Sequence, residues 1–489
     1  MKRKIFAVLG VQPEPGGYAL AKFSRTPVYK SYQDWVVELS EKGAEKFYNS
    51  FYFQYGHASI ADLAHVAMVV ENISQPARFL LLDDQLIDAQ SRSTRYVDYS
   101  KCEFITPPEI KNDSKTLSIY QQHNCNLIAL YQKITERVTQ LYLRRYSSTC
   151  PADMDKETLT RALYARSFDV ARYVLPFSLP KGMGVLASAR TWERIITKFL
   201  SSPLLECQEI GVELQQAICQ KPAFNPALNK LNPKDFRAIF GKNIALPTLV
   251  KYAQKNTYQS QVYDQLKNYL PKIKTLDSTK TALHERIRPE IDLVTTLLYR
   301  VSDFSYRQLL SEVKKFSPAK INKIIEIVYR LRGEHDSLLR ELNTGNLIFD
   351  LCLDIGAYRD LHRHRNVIHI IKDFRPVYGF ACPREIKAVG LAQKYQEMMK
   401  KAEALFWRIE KKYPHVGQYV LPLATYRRVL MRMTPWELQY LTELRTKPTG
   451  HFSYRQVAYT MYRHFARRHP AWAKHFRVTD YRTVDFWQR

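Results

Sequence analysis

The stretch YRDLHRHRNVIHIIKDFRP, Tyr358 to Pro376, alternates two imidazoles with two guanidiniums at His362, Arg363, His364 and Arg365. Alternating histidines can ligate a metal, but arginines on either side repel a cation. Fixed guanidiniums beside an imidazole suit an anion better, because Arg presents a planar fork of donors that matches phosphate. A basic surface turn is the plainer reading, and composition alone does not separate the two.

The elements that must position such residues belong to a chain of 489 residues with a formal net charge of +27 and a pI near 9.6. That balance favours anionic partners, namely nucleotides, nucleic acid or a phospholipid surface. The apolar fraction of 45% and charged fraction of 25% are those of a folded protein without low-complexity tracts. Seven cysteines without a CxxC point to a reducing compartment and away from a disulfide framework or structural zinc. MKRKIFAVLGVQPEPGG reads as a first strand ending in a turn, not as a signal peptide. No run approaches the ~18 consecutive apolar residues of a membrane span. A cytoplasmic protein without membrane association is expected.

The chain repeats itself. ARYVLPFSLP (Ala171–Pro180) is echoed by GQYVLPLATY (Gly417–Tyr426), and a helical pattern follows each, around Arg190 and around Trp436. Upstream, YGHASIADLAHVAMVVENIS (Tyr55–Ser74) and GEHDSLLRELNTGNLIFDLCLDI (Gly333–Ile355) each run from a His-x-Ser into a long apolar segment. Two related domains are expected over 1–220 and 282–489, joined by a Pro-rich helical arm over 221–281. Helices are expected over 32–54, 57–73, 115–147, 189–219, 318–332, 386–412, 435–445 and 452–468, with strands between.

Arg363-His364-Arg365, with Arg375 twelve residues after Arg363, resembles one end of the signature of the flavin-dependent thymidylate synthases, the ThyX family. DDQLIDAQSRSTRYV resembles its other end through Gln90, Ser93, Arg95 and Tyr96. YGHAS, with His57 and Ser59, is similar to the family's Gly-His-Glu-Ser, and Asp62 stands where the family has a glutamate. ARYVLP and SARTW are similar to two further family segments, and Arg445 resembles a late arginine. The resemblance covers most of both halves but not the arm. It implies an α+β fold of two tandem ThyX-like copies, each a mixed sheet with long helices. It further implies methylation of dUMP or a related pyrimidine nucleotide with FAD, and with NADPH and methylenetetrahydrofolate as co-substrates. Arg363, His364, Arg365, Arg190, His57 and Ser59 would bind the cofactor. Gln90, Ser93, Arg95, Arg172 and Arg375 would bind the nucleotide, and Arg445 would be the catalytic arginine near the ring. The family shares its sites between subunits of a tetramer, so a homo-oligomer is expected, with a dimer of two-copy chains in its place.

The departures interlock. The first half has Asp83-Asp84-Gln85 where the second keeps Arg363-His364-Arg365, and Phe199 where the second has Arg445. The second has Ile368, Ile370 and Asp373 in place of the Ser, Asn/Gln and Ser, Gln418 in place of Arg172, and Trp436 in place of Arg190. One complete composite site from two incomplete halves is the leading expectation. Decay of a duplicated enzyme into a non-catalytic binder of nucleotide or RNA is the alternative.

In the C-terminal stretch 451–489, aromatics interleave with eight Lys/Arg, as a single-stranded nucleic acid surface would require. Tyr454, Val457, Ala458, Met461, Tyr462 and Phe465 also share one helical face, and a closing amphipathic helix is the favoured reading. Cys207 and Cys352, in apolar surroundings, read as packing residues.

Overall fold

The computed structural model describes residues 58–219, 280–300 and 306–487, except 96, 102, 153, 286–287, 331 and 333–337, together with 13–14, 17–18 and 254–255. The N-terminal strand, the helix expected over 32–54, His57 and nearly all of the arm lie outside the described residues.

In chain order the elements are β1 (His65–Ile73), α1 (Gln75–Leu81), β2 (Ile87–Ser91), α2 (Ser114–Tyr146), α3 (Lys156–Ala171), β3 (Lys181–Ser188), α4 (Ala189–Leu200) and α5 (Leu205–Cys219). There follow β4 (Thr281–Glu285), α6 (Pro289–Arg300), α7 (Tyr306–Val313), α8 (Pro318–Arg330), β5 (Leu347–Asp354), α9 (Ile355–Leu361) and β6 (Ile368–Ile371). The last are α10 (Arg384–Ala388), α11 (Ala392–Lys412), β7 (Tyr426–Met433), α12 (Pro435–Arg445), α13 (Phe452–Arg468) and α14 (Pro470–Ala473). They divide between two compact units. One comprises Met1–Arg92, Ile105–Asn112 and Leu179–Lys272, and the other Ser93–Phe104, Asp113–Ser178 and Ile273–Arg489.

In the first unit, β1, β3 and β2 form an antiparallel sheet in that order, with Val66 opposite Ala187 and Ala89 opposite Val185. The helix expected over 57–73 is instead a 3-10 turn, Ala58–Leu63, running into β1. Val66, Val69, Val70 and Ile73 are β-branched and favour the pleated backbone, which gains the ladder to β3. Ser74 then caps α1 by accepting the Ala77 N–H, with Pro76 in the first turn. The helix expected over 189–219 is two, parted at Ser201–Leu204, where Pro203 cannot continue the hydrogen-bond ladder.

The second unit repeats the arrangement. Its sheet runs β4-β5-β7-β6, so β5-β7-β6 reproduces the order β1-β3-β2, with Phe349 opposite Met431 and Ile370 opposite Leu430. Leu347, Phe349, Leu351 and Leu353 alternate inward along β5. Asp354 caps α9 as Ser74 caps α1, and Thr434 caps α12 as Ser188 caps α4. The helix expected over 386–412 breaks into α10 and α11 at Gly390, whose φ of +69° needs glycine. The helices expected over 115–147, 318–332, 435–445 and 452–468 are α2, α8, α12 and α13, the ends within two residues.

The two Tyr-Val-Leu-Pro segments meet inside this second unit. Pro176 bridges Pro422, Phe177 N–H donates to the Leu421 carbonyl (3.0 Å) and Leu423 N–H to that of Leu175 (3.0 Å). Ser178 N–H donates to the Tyr419 carbonyl (3.1 Å) and Ala424 N–H to that of Tyr173 (2.9 Å). Each bond has its counterpart in the other repeat, so a local two-fold relates them.

Half of the C-terminal aromatics are core, while Phe452 is exposed and Tyr459, Tyr462, Tyr481 and Trp487 are half-buried. Tyr454, Ala458, Met461 and Phe465 are buried along α13, and Trp472, Phe476 and Phe486 are buried beyond it. Cys207 is buried, and burial pushes its thiol up; Cys352 is half-buried on β5.

Candidate functional site

The Arg-His-Arg motif leaves the end of α9. Asp354 fixes the start of this short helix by accepting the Ala357 N–H (2.7 Å), and the Ser453 hydroxyl donates to the same carboxylate. Burial raises the Asp354 carboxyl despite these bonds. Past the helix, His362 and His364 turn inward while Arg363 and Arg365 are exposed. His362 packs edge-on against His369, with ring centroids 5.1 Å apart. The alternation therefore sorts imidazoles into the protein and guanidiniums to its surface.

His364 meets Arg445 at the end of α12. The Arg445 Nε–H donates to His364 Nε2 at 2.8 Å, which places the imidazole proton on Nδ1. Burial, then Arg445, then His369 hold His364 neutral, its pKa pushed down to about 3. A neutral imidazole thus orients an arginine. The start of α12 is secured by a capping box between Thr434 and Glu437, and its turns bring Trp436, Tyr440 and Leu444 onto one face at i, i+4 spacing. Trp436 and Tyr440 stack with centroids 5.6 Å apart at 18°. Arg363, His364, Arg365, Asn366 and Val367 on one side and Trp436, Glu437, Tyr440, Leu444 and Arg445 on the other line a cleft of about 290 Å³. One wall offers charged donors and the other offers aromatic faces.

Residues of the first repeat stand in the same unit. Ser93 Oγ accepts the Arg95 N–H (3.0 Å), and Thr94 accepts from the buried Arg359 guanidinium (2.8 Å). Arg95 forms a two-pronged pair with Asp169, at 2.7 and 3.1 Å. Burial opposes the Arg95 charge, but Asp169 outweighs it and raises the guanidinium pKa. The end of α3 presents Asp169 and, three residues on, Arg172. Arg172 is 2% exposed; it donates to the Gly356 carbonyl (3.2 Å) and lies 3.6 Å from Asp360. A Cβ on Gly356 would stand 3.5 Å from the Arg172 guanidinium and 2.9 Å from Asp354 Oδ1, so glycine there admits the close approach.

Asp360 is the centre of the cluster. Burial pushes its carboxyl up, but Arg172, Arg363, Arg95 and Arg445 together hold it below the ordinary value, and Arg359 also feels its charge. Burial, then Arg172, pushes Arg359 down to about 10. Five guanidiniums (Arg95, Arg172, Arg359, Arg363, Arg445) thus gather about two carboxylates, Asp169 and Asp360. Such a net positive, partly dehydrated place is suited to an anion.

Other expected site residues lie elsewhere. Arg375 is exposed and lies over the Trp407 ring at 4.9 Å, and it is not among the residues lining the cleft. In the first unit, Gln90 is exposed on β2 and Arg190 is paired with Asp62. Ser59 lies in the 3-10 turn before β1. Asp84 accepts two bonds from Arg194 (3.0 and 3.2 Å) and Asp83 pairs with Lys198 (3.2 Å), both cations being on α4. The acids standing at the Arg-His-Arg position are thus paired with cations on α4. Among the described residues no three His, Cys, Asp or Glu side chains converge as metal ligands. Sequence reasoning missed Asp360, Arg359 and Asp169. The signal was present: Asp360 stands one helical turn before Arg363.

This fold, a β-α-β unit followed by a strand and an arginine-bearing helix, occurs twice, and the sequence relationship agrees. The family described as thymidylate synthase complementing protein, Thy1, matches residues 17–220 and 289–471, and the chain belongs to that family. It is similar to a UPF0159 protein of Chlamydia muridarum (23% identical, over 92% of this chain and 83% of that one) and to a UPF0159 protein of Thermoplasma acidophilum (24%, over 95% of each). Part of it is similar to a flavin-dependent thymidylate synthase of Clostridium tetani, 26% identical over 37% of this chain and 66% of that one. Among solved structures, a UMP/dUMP methylase, PolB, from Streptomyces cacaoi bound with 5-Br dUMP matches with a TM-score of 0.34 and 15% identity, over 42% of this chain and 97% of that one.

Proposed function

We propose that the chain is a flavin-dependent methylase of the thymidylate synthase type, acting on dUMP or a related pyrimidine nucleotide at a site composed from both repeats. The observation that carries this reading is the gathering, in one unit, of Arg95 and Arg172 with Arg363, His364 and Arg445 around Asp360, beside the Trp436–Tyr440 stack. The cleft suits a flavin nucleotide: Arg363 and Arg365 offer donors to its phosphates, and the aromatic pair offers a face to a planar ring. Bound there, FAD would supply the redox chemistry, with NADPH as reductant and methylenetetrahydrofolate as one-carbon donor. Arg445, aimed by His364, would donate to the pyrimidine ring. Arg95 and Arg172 are turned to Asp169 and Asp360 and would act on the nucleotide through Asp360. Gln90, Ser93 and Arg375 keep their proposed nucleotide-binding roles, and His57, Ser59 and Arg190 their cofactor-binding roles.

The absorption spectrum of the purified chain tests the reading. Near-stoichiometric flavin, together with dUMP-dependent consumption of NADPH when folate is added, is expected. A second reading, a non-catalytic descendant that binds nucleotide or RNA, draws on the first unit, where Arg190, Arg194 and Lys198 are all paired to carboxylates. A colourless protein that rejects added FAD and holds RNA in a salt-sensitive manner would establish that reading instead.

A further inference from the structure

The two carboxylates of the arginine cluster are held differently. Asp169 grips Arg95 through two hydrogen bonds, at 2.7 and 3.1 Å, and its main-chain carbonyl also bonds His451 (2.9 Å). Asp360 stands 3.6 Å from Arg172 Nη1 and 4.0 Å from Arg363 Nε, both beyond hydrogen-bond contact. Its side chain is 16% exposed, whereas Arg172 below it is 2% exposed and Arg363 above it 41%. A carboxylate in this position neutralises buried charge without satisfying any one donor. Two of those donors remain open, since the Nε–H groups of the buried Arg172 and Arg359 have no partner.

We propose that Asp360 is a tethered counter-ion, displaced from Arg172 and Arg363 by the phosphate of an incoming nucleotide, and that it thereby sets the charge the site demands of its ligand. This rests on the nucleotide-binding reading above. A dianionic phosphate brings more charge than the carboxylate it displaces and offers its oxygens to the cleft arginines together. An uncharged nucleoside displaces nothing and leaves the pairs of Asp360 intact. The resident anion thus competes with charged ligands alone: it tempers phosphate affinity, favours a dianion over a weaker anion, and leaves nucleoside affinity untouched. Asp360 is in this sense a specificity-determining residue that works through the arginines.

The test is calorimetry on the full chain with three probes: inorganic phosphate, dUMP and deoxyuridine. Asp360→Asn keeps the shape and removes the competitor. It should bind phosphate and dUMP about tenfold more tightly than the unaltered chain, with deoxyuridine unchanged. A gain in affinity is not what loss of structure produces. Arg363→Ala added to Asp360→Asn should abolish the gain, and Asp360→Ser carries the same expectation if the amide variant does not fold. Phosphate affinity that is equal or lower in the folded variants overturns the proposal, as does absence of phosphate binding by any form. If dUMP binds all forms equally, the counter-ion role fails and the nucleotide reading stands. If phosphate binding rises while dUMP binds no form, the anion seat stands and the nucleotide reading fails.

Discussion

Lowering the pH from 7.5 to 5.0 should strip much of the stability from the second unit while leaving the cleft of the folded chain unchanged. Burial pushes several histidines of this unit down, His451 among them, and His123, His364 and His369 are three of these. Burial, with Lys401 adding to it, pushes His123 down to about 4 despite its contact with the Val420 carbonyl. Burial and then Arg445 and His369 push His364 to about 3. Burial and then Arg427 push His369 to about 4, against its contact with the His364 carbonyl. An imidazole that protonates less readily folded than unfolded makes the unfolded chain the better proton binder. Stability from these groups is therefore complete above the ordinary value of ~6.5 and is lost as the pH falls from there toward about 3 to 4. At pH 5 each group is ~1.5 units below that ordinary value, which costs about 2 kcal/mol apiece and roughly 6 kcal/mol for the three. Domains commonly hold only about 5–15 kcal/mol in total. Thermal melts across this range should show Tm falling by about 12–24 °C. Folded His364 stays neutral throughout this range and keeps accepting from Arg445, so nucleotide affinity should fall only as the chain unfolds. His364→Gln, which does not titrate, should recover about a third of the loss at pH 5. A Tm that stays level from pH 7.5 to 5.0, or a His364→Gln variant as acid-sensitive as the unaltered chain, would refute the reasoning.

Arg363→Ala combined with Arg365→Ala should lower flavin affinity on the order of a hundredfold with the fold intact, which flavin absorbance after gel filtration reads directly. Asp169→Asn leaves Arg95 buried with half its pair gone and should cost about 3 kcal/mol in denaturant melts. Asp169→Leu with Arg95→Met should recover most of that, since a packed apolar pair replaces the buried ion pair. Gly356→Ala forces a Cβ to within 2.9 Å of Asp354 Oδ1 and 3.5 Å of Arg172, and should cost about 1–3 kcal/mol in the same melts.

The duplication was legible because both copies must make the same Tyr-Val-Leu-Pro turn, and each half of the mutual pairing at Pro176 and Pro422 constrains the other. The helices α2, α12 and α13 were legible from apolar spacing, which each buries along one face. The strand β1 was not. Its apolar residues follow the 3-10 turn without a break, and what decides for a strand is the ladder to Lys181–Ser188, more than a hundred residues away. In the candidate site, the arginines were visible by type and the acids were not. Asp169 gains its meaning from Arg95, 74 residues distant, and Asp360 gains its own from four arginines scattered between residues 95 and 445. Composition can announce a surplus of charge, but only the fold shows where its counterweights sit.

The local two-fold through Pro176 and Pro422 has a consequence for how this protein can change. In a pair of identical subunits every substitution is made twice, so an acid that damages one site damages both. Joined in a single chain, the repeats inherit separately. The first could exchange Arg-His-Arg for Asp83-Asp84-Gln85 and still present the segment that the second needs as its mate. A single chain lets one repeat vary in its anion-facing motif while it keeps the Tyr-Val-Leu-Pro pairing with the other.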